Sequence, residues 1–150
     1  MQSGNLFSRT NLCLQQAEPD QKRSCVAELV EAWHGNVLDT ETAPLEHIGQ
    51  PGRPERPKLV SPRDLPRRKL TSPEGHAALI HAICHIEFNA INLALDAVYR
   101  FRDLPVEFYS DWLRAVSYTH LRAHETYITI SYAVFCLKKG GGGGGGGGGG

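Results

Sequence analysis

Apolar positions recur at helical spacing in three parts of this chain, with prolines between them. Residues 5 to 17 (N-L-F-S-R-T-N-L-C-L-Q-Q-A) carry only a weak helical pattern. Glu18-Pro19-Asp20 then breaks the chain and offers a cap to a clearer amphipathic helix over Lys22 to Trp33. Val26, Leu29, Val30 and Trp33 repeat on one side of that helix, and Gly35 follows as a stop. The pattern is that of a core-packing helix, and nothing in it suggests a chemical site.

From Pro44 to Pro66 the chain carries six prolines, at 44, 51, 54, 57, 62 and 66. Each removes a donor N–H and fixes φ, so neither a helix nor a central strand can run through the stretch. An extended, partly polyproline-like arm is predicted, ending in the basic cluster Arg67-Arg68-Lys69. A cluster of three basic residues reads as a solvated surface feature. The arm is long for a structureless loop and is expected to wrap over the surface of a larger bundle.

The strongest pattern begins at Thr71. In Thr71-Ser72-Pro73-Glu74 a hydroxyl caps, proline takes the first turn and Glu74 can return a bond to the cap. Helical spacing predicts a helix over about 72–101, about 43 Å at 1.5 Å per residue. Asp103-Leu104-Pro105 turns the chain, and a further helix starts at 105 with Phe108, Trp112 and Leu113 on one face. Two helices joined by so short a turn make a hairpin, the unit of a helix bundle. The expected fold class is all-α, an incomplete bundle. Its segments are an N-terminal helical segment (1–42), the proline-rich arm (43–70), a first hairpin (71–115) and a tail (116–150).

The tail changes how the rest is read. Val116 to Thr126 (V-S-Y-T-H-L-R-A-H-E-T) back-translates to a sequence resembling the transposase adapter of short-read DNA libraries. Ile130 to Lys138 (I-S-Y-A-V-F-C-L-K) fits the flow-cell end of the same adapter, and Gly140 to Gly150 resemble signal-free cycles. The expectation is therefore an artefactual, disordered tail on an N-terminal fragment that ends near Arg114. Tail sequence of this kind is excluded from fold reasoning.

Residues 1 to 115 hold 13 Lys and Arg against 15 Asp and Glu, which leaves no footprint for nucleic acid or an anionic membrane surface. Cys13, Cys25 and Cys84 are odd in number and widely spaced, which predicts free thiols in a reducing compartment. No signal segment opens the chain, and no uninterrupted apolar run approaches the roughly 18 residues of a membrane span. A cytoplasmic protein with no membrane partner is expected.

The candidate chemistry lies in the helix over 72–101. On a helical wheel Ile80, Ile83, Ile91, Ala94 and Val98 all fall within about 40° of Glu87, so this carboxylate points out of the middle of the apolar stripe. An ionised carboxylate there must be neutralised, paired with Arg or Lys, or bound to a metal. His81 and His85 share a face at i, i+4, yet they lie about 120° and 160° from Glu87 and belong with Asn89, Asn92 and Asp96 on the polar side. They are read as a solvated face.

The stretch R-R-K-L-T-S-P-E-G-H-A-A-L-I-H-A-I-C-H-I-E-F-N-A-I-N-L-A-L-D-A-V-Y-R-F-R-D-L-P-V-E-F-Y-S-D-W-L-R resembles the ferritin-like bacterial family called domain of unknown function 455. The preceding P-G-R-P-E-R-P-K-L-V resembles its proline arm, so the resemblance covers about residues 45 to 114. It implies a four-helix bundle holding two iron or manganese ions between glutamates and E-x-x-H motifs. Glu87 matches the first of those glutamates, and the other ligands would follow Arg114. His120 and His124 lie in the adapter-like tail and are not carried over.

The resemblance thus implies a di-metal oxidoreductase or oxygenase as the parent protein. Fold analogy with ferritin-like tRNA hydroxylases extends this to RNA-modifying chemistry, on analogy alone. The fragment itself, with one expected ligand, is expected to retain no iron or manganese and to be inactive. The alternative is a non-catalytic helical binding or scaffold protein with no metal, in which Glu87 meets an Arg.

Overall fold

The computed structural model describes residues 4–41, 44–55, 61, 63 and 71–119. Within them the chain forms a helical bundle with one two-stranded ribbon. The order is β1 (Gly4–Asn5), α1 (Leu6–Gln15), α2 (Pro19–His34), β2 (Leu38–Asp39), α3 (Pro73–Arg100) and α4 (106–119). The all-α class and the helix order follow the sequence reading. The basic cluster at 67–69 and residues 120–150 lie outside the described residues.

Local signals account for the helix bounds. Asn5 caps α1 by accepting a hydrogen bond from the Ser8 amide at 3.1 Å. Proline opens α2 three residues earlier than the apolar pattern alone suggests, at the N1 position where no N–H is missed. At α3 the choice between Thr71 and Ser72 falls to Ser72, whose Oγ accepts from the Gly75 amide at 3.1 Å.

Because only Gln16-Ala17-Glu18 separates them, α2 runs back along α1. The return is closed at its far end by the parallel pairing of Gly4 with Leu38 and Asn5 with Asp39. Asn36 takes a φ of 54° to make that turn, a left-handed conformation that asparagine tolerates better than most residues. At the near end Cys13 and Cys25 form a disulfide, their Cα atoms 5.3 Å apart. The free-thiol expectation is therefore corrected for these two. Twelve residues of sequence separation became contact because a helical hairpin folds between them, and Cys84 alone is left free among the described cysteines.

All four helices share one core. Leu6, Phe7, Leu14, Val26, Leu29, Leu95, Val98, Tyr109 and Leu113 are buried in it. The apolar register of α4 continues from Tyr109 and Leu113 to Val116, which is fully buried. The helix is thus continuous through the last described residue, 119.

Tyr109 ties the α3–α4 turn: its hydroxyl donates to the Phe101 carbonyl at 3.1 Å and accepts from the Leu104 amide at 3.2 Å. Its ring also meets Phe7, Trp33 and Phe108 edge to face. Tyr109→Phe is expected to keep the ring contacts and lose both bonds, lowering the unfolding free energy by about 1.5 kcal/mol in urea denaturation.

The described part of the arm, 44–55, lies against α1 and α3. The Tyr99 hydroxyl accepts from the Glu46 amide at 2.8 Å and donates to its carbonyl at 3.1 Å. Further along, the Gly52 amide donates to the Leu14 carbonyl at 2.8 Å.

Candidate functional site

α3 is buried unevenly, and this decides what its side chains can do. Between Ile91 and Tyr99 one face, with Ile91, Ala94, Leu95 and Val98, is buried in the core, whereas Leu79, Ile83 and Ile86 are exposed, Ile86 to 66%. By length and composition alone α3 could cross a membrane. Its C-terminal half is instead packed on α1, where its buried Asn92 meets a lysine.

Glu87 sits where the covered half of α3 gives way to the open half. It is half-buried, but its Oε2 is sealed from solvent and accepts no hydrogen bond from any described residue. The described ion pairs, Arg23–Asp20, Arg100–Asp96 and Arg114–Asp111, are solvent-facing and leave Glu87 out. One turn earlier, the Cys84 thiol is pushed above its ordinary pKa, first by burial and then by the negative charge of Glu87. Cys84 is thus held as a neutral thiol rather than as a nucleophile.

The histidines stand apart from this carboxylate, as the wheel places them. His81 is exposed, and the half-buried His85 pairs its Nε2 with the Asn89 amide nitrogen at 3.3 Å. Among the described residues no group of three or more His, Cys, Asp and Glu side chains could hold a metal ion. The described chain therefore offers the Glu87 carboxylate, with the neutral Cys84 thiol one turn away, but no set of three ligands.

One turn after Glu87 lies a group that the sequence reading missed. Lys22 of α2 is only 1% exposed. Its Nζ donates to the Leu14 carbonyl at 3.0 Å, to the Gly52 carbonyl at 3.1 Å and to Oδ1 of Asn92. It also stands 4.9 Å from the centre of the Phe88 ring. Burial lowers its pKa from 10.5 to about 8. The signal was in the sequence: Lys22 precedes Val26, Leu29 and Trp33 by 4, 7 and 11 residues, which puts it on the apolar stripe of α2.

The comparisons place this arrangement in a family. The profile described as "Protein of unknown function (DUF455)" matches residues 15–127, extending on both sides of the stretch 45–114 that carries the resemblance. An uncharacterized protein of Haemophilus influenzae (strain ATCC 51907 / DSM 11121 / KW20 / Rd) is 38% identical over 125 residues. That alignment covers 72% of this chain, and the chain spans 41% of the relative's length. No solved structure matches the chain. With the larger part of its length matched by the profile, the chain belongs to the DUF455 family.

Proposed function

We propose that Glu87 is one carboxylate ligand of a di-iron or di-manganese centre in a ferritin-like bundle, and that the full-length protein is a non-haem oxidoreductase. The observation that carries this reading is the Glu87 Oε2, buried on an apolar helix face with no hydrogen-bond donor among the described residues. Leaving a carboxylate oxygen dry and unmatched is costly, and a cation would remove the cost. The other ligands would come from sequence that the Haemophilus influenzae relative has and this chain does not span. When bound, such a metal pair supplies oxygen activation for oxidation or hydroxylation. The part of this chain is to present one carboxylate, whose Oε2 is shielded from water.

A reading frame that spans the full length of the Haemophilus influenzae relative supplies the protein for the test. The protein made from it is expected to hold about two iron or manganese ions per chain by elemental analysis. Glu87→Ala should reduce this to about one or fewer, with the far-ultraviolet spectrum unchanged. Undiminished metal in the Glu87→Ala protein would remove the role assigned here. The exposed Leu79, Ile83 and Ile86 favour a second reading, a scaffold helix that seats a partner helix without metal. A full-length protein that lacks E-x-x-H motifs and binds no metal would support that reading.

A further inference from the structure

We propose that the Cys13–Cys25 disulfide is a reversible redox latch, opened by a dithiol reductant, that controls whether the proline arm stays seated on the C-terminal end of α1. The bond joins the last turn of α1 to the second turn of α2. Each cysteine adjoins one half of the arm's seat. Leu14, next to Cys13, supplies the carbonyl that accepts both from the Gly52 amide and from Lys22 Nζ. Lys22 lies three residues before Cys25, and its ammonium also holds the Gly52 carbonyl. A buried ammonium is tolerated only while its acceptors are fixed around it. The disulfide fixes the helix that carries the ammonium against the helix that carries the first acceptor.

The bond is also reachable. An open cavity of about 510 Å³ borders both cysteines and is lined as well by Arg9, Gln16, Gln21 and Ser24. Cys13 is 1% exposed, whereas Cys25 is half-buried, so an incoming thiolate meets the Cys25 sulfur first. Attack there forms a mixed disulfide with Cys25 and expels Cys13 as a thiolate. Arg9, one turn earlier on α1 and on the same cavity, favours that leaving group with its positive charge. The second thiol of the reductant then attacks its own sulfur in the mixed disulfide and releases Cys25. Two electrons and two protons pass to the protein, the dithiol leaves as an internal disulfide, and both cysteines end as thiols.

The response should be local. Cys13 shares one core with Leu95, Val98, Tyr109 and Leu113, but those four belong to α3 and α4, which the bond does not join. In the full chain, dithiothreitol is expected to convert Cys13 and Cys25 from blocked to alkylated in peptide-mapped thiol labelling. Amide exchange at residues 12–16 and 49–55 should accelerate at least about tenfold, while 91–99 keep their protection. Oxidised glutathione should restore the slow exchange. The Cys13→Ser/Cys25→Ser double variant should exchange like the reduced protein and ignore dithiothreitol. The latch is overturned by alkylation of both thiols before any reductant, by unchanged exchange in 49–55 after both are reduced, or by simultaneous loss of protection in 91–99.

Discussion

Gly52→Ala is expected to lower the unfolding free energy by about 3 kcal/mol, most of it through loss of the arm's attachment to α1. A Cβ at position 52 would lie 2.1 Å from the Gln15 carbonyl oxygen and 2.5 Å from both the Gln15 carbonyl carbon and the Gln16 oxygen. Those atoms are the C-terminal backbone of α1, which has no rotamer to yield, so the arm must back away. Retreat breaks the Gly52 amide bond to Leu14 and withdraws the Gly52 carbonyl from Lys22. The loss therefore includes a buried donor and a buried ammonium's acceptor as well as steric strain. Gly49 is the control: a Cβ there meets nothing within 4 Å, and Gly49→Ala should change stability by less than about 0.5 kcal/mol. Urea denaturation of the two variants checks the contrast. Equal stabilities would show that the arm is not held where the close approach places it.

The role of position 52 was beyond sequence reading, because it depends on a backbone contact between segments some 37 residues apart. The same holds for Cys13 and Cys25, whose pairing only the α1–α2 return creates. What could be read was local. The hydroxyl, proline and acid at Ser72, Pro73 and Glu74 start α3 within a residue of the expected place, and Asp103-Leu104-Pro105 ends the hairpin turn. Helical geometry also placed Glu87 on the apolar face, in line with the sealed Oε2. It did not show that Ile83, on the same stripe, stays 39% exposed, since periodicity identifies a face and not its cover. The two-residue pairing of β1 with β2 had no periodic signal at all; closure of the hairpin and the turn at Asn36 create it.

Lys22 is the first residue of a predicted amphipathic helix that shows no chemical site in its sequence, and its burial makes the other large effect. Lys22→Ala should cost about 3 kcal/mol at pH 7, because it empties a packed site and strips the donor from Gly52 and Asn92. Lys22→Met fills most of that volume and removes the charge, so its cost should be smaller at neutral pH. The two stabilities should then diverge with pH in a defined direction. In the unfolded chain the amine titrates near 10.5, and in the folded protein burial brings it to about 8. Between those values the unfolded state binds more protons, so the stability of the wild-type chain rises with pH. Below about pH 8 both states are protonated, and the burial cost is carried in full. From pH 7 to 9.5 the wild-type chain should gain about 2 kcal/mol relative to Lys22→Met, in which the other titrating groups cancel. Denaturation midpoints of both proteins across that range provide the measurement. A difference that stays flat would mean that Lys22 keeps its ordinary pKa and that its three acceptors fully replace water.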